Sequence, residues 1–320
     1  METFISNSRL RTYERILSLS TADKQLKAYY WNKRLCAALY PAMQALEITL
    51  RNALNESVKS NGAGTYKGND WWFEHIAIKV QDKKIKNMSA YSKTKWLKPD
   101  GNRKKQGYQE AAIKKAINDL TKEGRVPVFH DDVLSRPTFG YWLAFIHKDY
   151  EDVTNKNLLW PNLLTSVFPN CPGKVSLDKV SERLGWIKDL RNRMSHHEPV
   201  WKFYSNKPNG SPDYSKPIYG LNASITILAK QYNEILETIS WMSQGRYESF
   251  LDAGLDIEFR KLCSINGFNA LVKPHLVKPV VARSRAKREA RKILEDSRNG
   301  IVTRITRAGK TYAIIGVHGY

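Results

Sequence analysis

The side chains with the most chemical potential stand together past the middle of the chain: Arg191-Asn192-Arg193-Met194-Ser195-His196-His197, followed by Glu198 and Pro199. Cleaving an RNA phosphodiester takes a base for the 2′-OH proton, an acid for the departing 5′-oxygen, and a cation for the charge that builds around phosphorus. Histidine serves either proton role near neutral pH, and arginine forks two N–H groups onto phosphate oxygens. Arg191 and His196 therefore supply the parts of a reaction that needs no metal. Five helical positions place them about 140° apart, so they converge only if the helix frays before Pro199 or the arginine reaches around. One histidine cannot be acid and base at once; a homodimer bringing two such helix ends together would supply both. The plainer role for these histidines is to cap carbonyls at the negative end of the helix dipole.

The element that must carry them is legible. Ser176 is a cap, and Leu177, Val180, Leu184, Ile187, Leu190 and Met194 recur at helical spacing, giving a motif helix over 176–197 that ends before Pro199. Upstream, Thr21 caps a helix carrying Leu26, Tyr29, Tyr30, Leu35, Ala38 and Leu39. Pro41 suits the first turn of a new helix with Leu46, Leu50, Leu54 and Val58 on one stripe, stopping at the glycines of SNGAGTYKGND. Helices are also expected over 71–80, 109–122, 138–146, 155–167 and 222–242, a short one opens at His130, and 89–106 and 202–219 read as loops. Val280–Arg298 reads as a basic helix, and IVTRIT and TYAIIGV around Arg307–Lys310 as a β-hairpin. The fold class is mainly α: a helical bundle over 1–275, then, past a proline-bounded linker, an appendage over 276–320 made of the basic helix and small hairpin.

Charge sets the partner class. The 320 residues hold 52 Lys plus Arg against 31 Asp plus Glu, a net +21. Ten bases against two acids lie between Lys79 and Lys105, and eleven against three between Leu276 and Tyr320, so 16 of the 21 surplus charges sit in these two blocks. Two concentrated blocks around a near-neutral body read as the footprint of a polyanion, nucleic acid or an anionic membrane surface. The charged segments lack the strong apolar face a membrane surface asks for, and RNA is the expected partner. Its candidate contacts are Lys93, Lys95, Trp96, Lys98, Arg103, Lys104 and Lys105 in the first block, where Trp96 and Tyr91 offer rings to unpaired bases. In the second they are Arg283, Arg285, Lys287, Arg288, Arg291 and Lys292. Loops charged for solubility are the bland alternative.

Several classes are excluded. No apolar run approaches the length that spans a bilayer, and the first residues lack a secretory signal. Cys36, Cys171 and Cys263 form no CxxC pair, which fits the reducing cytoplasm and suggests small buried apolar residues. Adjacent His196-His197-Glu198 diverge on a helix and make a poor metal site, and no phosphate-binding glycine loop or nucleophile elbow is present. No cofactor is expected.

Arg191-Asn192-x-x-x-His196-His197 at the end of an amphipathic helix resembles the R-N-x-x-x-H motif of HEPN-domain ribonucleases. More narrowly, RNRMSHHEPVW resembles the corresponding segment of the abortive-infection (Abi-like, AbiD/AbiF-type) family. ALEITLRNAL (Ala45–Leu54) and RPTFGYWLAF (Arg136–Phe145) fit the same family, and together the resemblance spans roughly 25–245. It implies an α-helical HEPN fold, often dimeric, and a metal-independent endoribonuclease of bacterial phage defence, toxic when active, leaving 2′,3′-cyclic phosphate ends. In some members it implies a structured small RNA as antitoxin. Carried over by residue, Arg191 holds the phosphate, Asn192 orients the site, and His196 is the general acid/base, with His197 an alternative because the doublet leaves the register open. Arg193 adds charge. Glu47 and Arg51, four apart, form either a surface ion pair or a support that holds an arginine. The competing reading is an RNA-binding protein that cuts nothing and forms a ribonucleoprotein with a small RNA.

Overall fold

The computed structural model describes residues 5–208 and 210–316. Among them the chain is mainly helical. The helices are α1 (Asn7–Leu17), α2 (Ala22–Asn61), α3 (Trp72–Lys86), α4 (Ala90–Thr94), α5 (Tyr108–Lys122), α6 (His130–Ser135), α7 (Phe139–Ala144), α8 (Leu164–Val167) and α9 (Leu177–Ser195), then α10 (Leu221–Met242), α11 (Gln244–Asp252), α12 (Ile257–Leu262), α13 (Ile265–Val272), α14 (Arg283–Ala286) and α15 (Ala290–Arg298). The strands are β1 (Tyr204–Asn206), β2 (Pro212–Pro217), β3 (Val280–Ala282), β4 (Thr303–Arg307) and β5 (Lys310–Ile315). The residues group into two compact units: Met1–Ala45, Asp189–Glu237 and Tyr247–Tyr320 form one, and Leu46–Lys188 with Thr238–Arg246 the other.

In the first unit Trp31 and Trp201 are fully buried, with Tyr13 edge-on to Trp201 at 5.1 Å and Phe268 edge-on to Trp31 at 4.9 Å. The Trp31 indole N–H donates to the Leu262 carbonyl at 2.9 Å, so the ring is buried without an orphaned donor. In the second unit the stripe Leu46, Leu50, Leu54 and Val58 is wholly buried, each leucine contributing on the order of 2 kcal/mol. Trp72, Tyr141, Trp142, Phe145 and Tyr150 are buried in the same unit and pack on one another, and the Trp72 indole donates to Asn55 of α2 at 3.0 Å.

Several expectations are revised. Helix α2 runs unbroken through Pro41. The carbonyl that this proline leaves without an N–H donor is that of Ala37, an exposed residue where water can replace it, while Ala38, Leu39, Ala42 and Met43 bury the other side. The expected helix over 155–167 shrinks to α8, because the Asp152 carboxylate accepts from the backbone N–H groups of Asn155 and Asn157 and folds the segment into a turn. The expected loop over 202–219 contains the antiparallel pair β1–β2, with Tyr204 edge-on to Tyr214 at 5.0 Å. Only Cys263 is buried; Cys36 and Cys171 are half-buried, and all three thiols are free.

The basic helix expected over 280–298 is not continuous. Val280–Ala282 leave it to pair in parallel with Arg304–Thr306 of β4, and the helical remainder splits into α14 and α15. The hairpin forms as β4–β5, so the segment is a three-stranded sheet in the order β3-β4-β5, with Val281, Ile293, Val302 and Ile305 buried.

Candidate functional site

The motif helix α9 starts at its Ser176 cap, where the Lys179 N–H reaches the Ser176 hydroxyl at 3.3 Å. Val180, Leu184, Ile187 and Leu190 are all buried along it. Its end is built with care. The His197 N–H bonds the Met194 carbonyl at 3.1 Å and the Glu198 N–H bonds the Arg193 carbonyl at 2.9 Å, while His197 has φ +59°. This is a Schellman motif with histidine at the left-handed position that glycine usually fills. Pro199 follows and prevents the helix from resuming.

A buried clamp fixes the turn. Asn32 of α2 is fully buried; its amide donates to the Glu198 carbonyl at 3.3 Å and its oxygen accepts from the Val200 N–H at 3.0 Å. It supplies both backbone groups with partners that a sheet neighbour would otherwise provide. Arg193 closes the turn from the other side: its guanidinium donates to the Pro199 carbonyl and lies over the Phe203 ring at 5.4 Å. Burial pushes that guanidinium below its usual range, and Glu198 pulls it back up. Arg193 is thus a tie within the turn, where charge alone was expected. Arg9 donates to the His197 carbonyl at 3.1 Å, and buried Val200 and Trp201 pin the exit.

Against this fixed turn the motif side chains differ in exposure. Arg191 and Asn192 are half-buried, and His196 and His197 are exposed. The His196 N–H still bonds the Asn192 carbonyl at 2.9 Å, so helical register persists through His196. Asn192 and His196 therefore stack four apart on one face, and Arg191 stands about 140° round from His196. The helix unwinds one residue after His196, too late to swing it toward Arg191 of the same chain. Ser195 donates to the Arg191 carbonyl at 3.2 Å. Glu47 and Arg51 lie on α2 in the second unit, where the Arg51 guanidinium donates to the Asn52 side chain at 3.2 Å. Asn32 escaped sequence reasoning, although its signal is visible: a polar residue on the apolar stripe of Ala28, Leu35 and Leu39.

The two basic blocks differ in how far their cations are engaged with the rest of the fold, although Lys95, Lys98, Lys104 and Lys105 of the first are exposed. In the first, Arg103 is held by Asp82 at 2.7 Å, by buried Glu110 at 2.5 Å, and by the Ile78 carbonyl at 3.0 Å. Lys104 donates to the Thr94 carbonyl at 2.7 Å, Lys105 covers the half-buried Trp96 ring at 4.3 Å, and Lys95 lies over Tyr91 at 4.7 Å. Lys93 is half-buried and Lys98 exposed. In the second block Arg283, Arg285, Lys287, Arg288, Arg291 and Lys292 are all exposed, with Arg283 over the Tyr312 ring at 4.5 Å. Among the described residues no group of three or more His, Cys, Asp or Glu side chains gathers to hold a metal, and no helix is long and apolar enough to cross a membrane.

Fold and site together describe a mainly helical protein that presents an Arg-Asn…His helix terminus on a rigid turn. The chain belongs to the Abi-like protein family, whose family model matches residues 4–202. The match takes in the helix terminus and the turn up to Lys202, and leaves the C-terminal sheet outside. No curated protein and no solved structure matches the chain. Membership in this family points to abortive infection, a defence against phage.

Proposed function

We propose that this protein is a metal-independent endoribonuclease of the HEPN type, acting as the toxic arm of phage defence in the cytoplasm. The observation that carries the reading is the helix terminus itself: half-buried Asn192 and exposed His196 one turn apart on one face, Arg191 on the flank, and a buried clamp holding the turn beneath them. Preorganised groups on a rigid element are what electrostatic and proton-transfer catalysis require.

In this mechanism the Arg191 guanidinium forks onto the non-bridging oxygens of the scissile phosphate. Neutral His196 removes the 2′-OH proton, the 2′-oxygen attacks phosphorus, and the bond from phosphorus to the 5′-oxygen breaks. A protonated histidine gives its proton to that leaving oxygen, so the products carry a 2′,3′-cyclic phosphate and a 5′-hydroxyl. Asn192 positions His196 by hydrogen bonding. Because Arg191 and His196 of one chain sit about 140° apart, the complete set comes from two copies in a homodimer, one histidine serving as base and the other as acid. A structured small RNA on the exposed cations of the C-terminal segment holds the activity in check.

The test is purified protein incubated with end-labelled RNA, with and without EDTA. Cleavage unaffected by EDTA, with cyclic phosphate ends, is expected; intact RNA would leave the second reading. That reading, a non-catalytic RNA-binding protein, is favoured by one observation: the six cations of the second block are exposed, and such a cluster would attract RNA whether or not it is cut.

A further inference from the structure

The C-terminal sheet has two unlike faces. Paired residues on neighbouring strands share a face, and Val281, Ile305 and Ala313 pair across β3, β4 and β5. Val281 and Ile305 are buried, so this row is the inner one. The row beside it, Val280, Arg304 and Ile314, lies on the outer face, where Val280 is 44% exposed. Nothing among the described residues makes this face an ordinary solvent surface: it shows apolar side chains and an aromatic ring among arginines.

Tyr312 owes its place to a bulge. Ile305 pairs with Ala313 and Thr306 with Thr311, which leaves Tyr312 without a partner on β4. Such an extra residue bends the strand and re-aims its side chain. The ring is 55% exposed, and the Arg283 guanidinium, the first residue after β3 ends at Ala282, lies over it at 4.5 Å. Arg304 stands on the same face. Its Nη1 donates to the Thr311 hydroxyl at 3.5 Å, while its Nε is shut off from water with no acceptor. The residue as a whole is half-exposed, and a guanidinium is the strongest side-chain partner for a phosphate oxygen.

We infer that the outer face of β3-β4-β5 is a platform for unpaired RNA, with the Tyr312 ring stacking on a base and Arg283 and Arg304 holding the flanking phosphates. The inference deepens the RNA reading of this segment and rests on it: the charge of α14 and α15 attracts any polyanion, and the ring selects single strands. A duplex keeps its bases stacked inside and offers nothing to Tyr312. An exposed aromatic ring with an arginine beside it on a sheet face is an arrangement that takes bases regardless of sequence.

The experiment uses the full chain and two fluorescent 2′-O-methyl RNA probes that cannot be cut, a single-stranded 12-mer and the duplex it forms with its complement. Tyr312→Ala should weaken single-strand binding about tenfold with duplex binding unchanged, and Tyr312→Phe should bind like the unaltered protein. Arg304→Gln should weaken both probes. Equal single-strand binding by Tyr312→Ala and the unaltered protein would overturn the platform, as would equal loss on both probes. Cleavage of an unmodified RNA is read in the same preparations. If the unaltered protein cuts nothing while Tyr312→Ala still loses the single strand, the nuclease reading falls and the platform stands.

Discussion

The two basic segments carry the same net charge, +8 each over 79–105 and 276–320, yet they use it differently. In the first, Arg103 is committed to Asp82 and Glu110, Lys84 to Asp149, Lys104 to a carbonyl, and Lys95 and Lys105 to rings. In the second, Arg285, Lys287, Arg288, Arg291 and Lys292 point outward and pair with no carboxylate among the described residues. Charge committed to the fold stabilises it; charge left free attracts partners. The helix terminus repeats the contrast at smaller scale, with Arg193 tied into the turn and Arg191 left on the flank two residues earlier.

The largest effect that sharpens this contrast comes from the free segment. Replacing Arg283, Arg285, Arg288 and Arg291 by glutamine should lower single-strand RNA affinity several hundred-fold at about 0.1 M salt. It should also flatten the slope of log K against log salt by about 3, with the melting temperature unmoved. Fluorescence anisotropy across a salt series reads both. A smaller effect of opposite kind is expected from Arg103→Ala, which strands the buried Glu110 carboxylate: about 3 kcal/mol lost in chemical denaturation, with little change in the salt slope. A large loss of RNA affinity in a folded Arg103→Ala protein would break the comparison.

Arg193→Ala removes a charged donor from the Pro199 carbonyl and a cation from the Phe203 ring, for about 2 kcal/mol of stability by thermal unfolding. The smallest effect is His197→Gly. Glycine adopts the left-handed conformation at no steric cost, so the variant should be as stable or more so, by up to about 1 kcal/mol, and should still cut RNA. Loss of cleavage in that variant would move the acid/base role from His196 to His197.

Much of this was legible in the sequence because it is local. The stripe from Leu177 to Leu190, its Ser176 cap and its stop before Pro199 are set by neighbours within a few residues, as is the hairpin around Arg307–Lys310. What escaped is set from afar. Val280–Ala282 look helical beside the basic run that follows, and become a strand only because Arg304–Thr306, more than twenty residues on, offer an edge. Pro41 reads as a boundary until the packing of Ala38, Leu39, Ala42 and Met43 holds the helix through it. The catalytic candidates were visible by type and spacing. The clamp beneath them was not, since Asn32 lies more than 160 residues from the groups it holds, although a lone asparagine on an apolar stripe marks such a role.

The most direct measurement compares RNA cleavage and thermal unfolding for His196→Ala, Arg191→Ala and the unaltered protein. His196 is exposed and Arg191 half-buried, and the turn is held by other residues. Each substitution should therefore abolish cleavage while leaving the melting temperature within a degree or two. Undiminished cleavage by either variant would contradict the assignment of the reaction to this helix terminus.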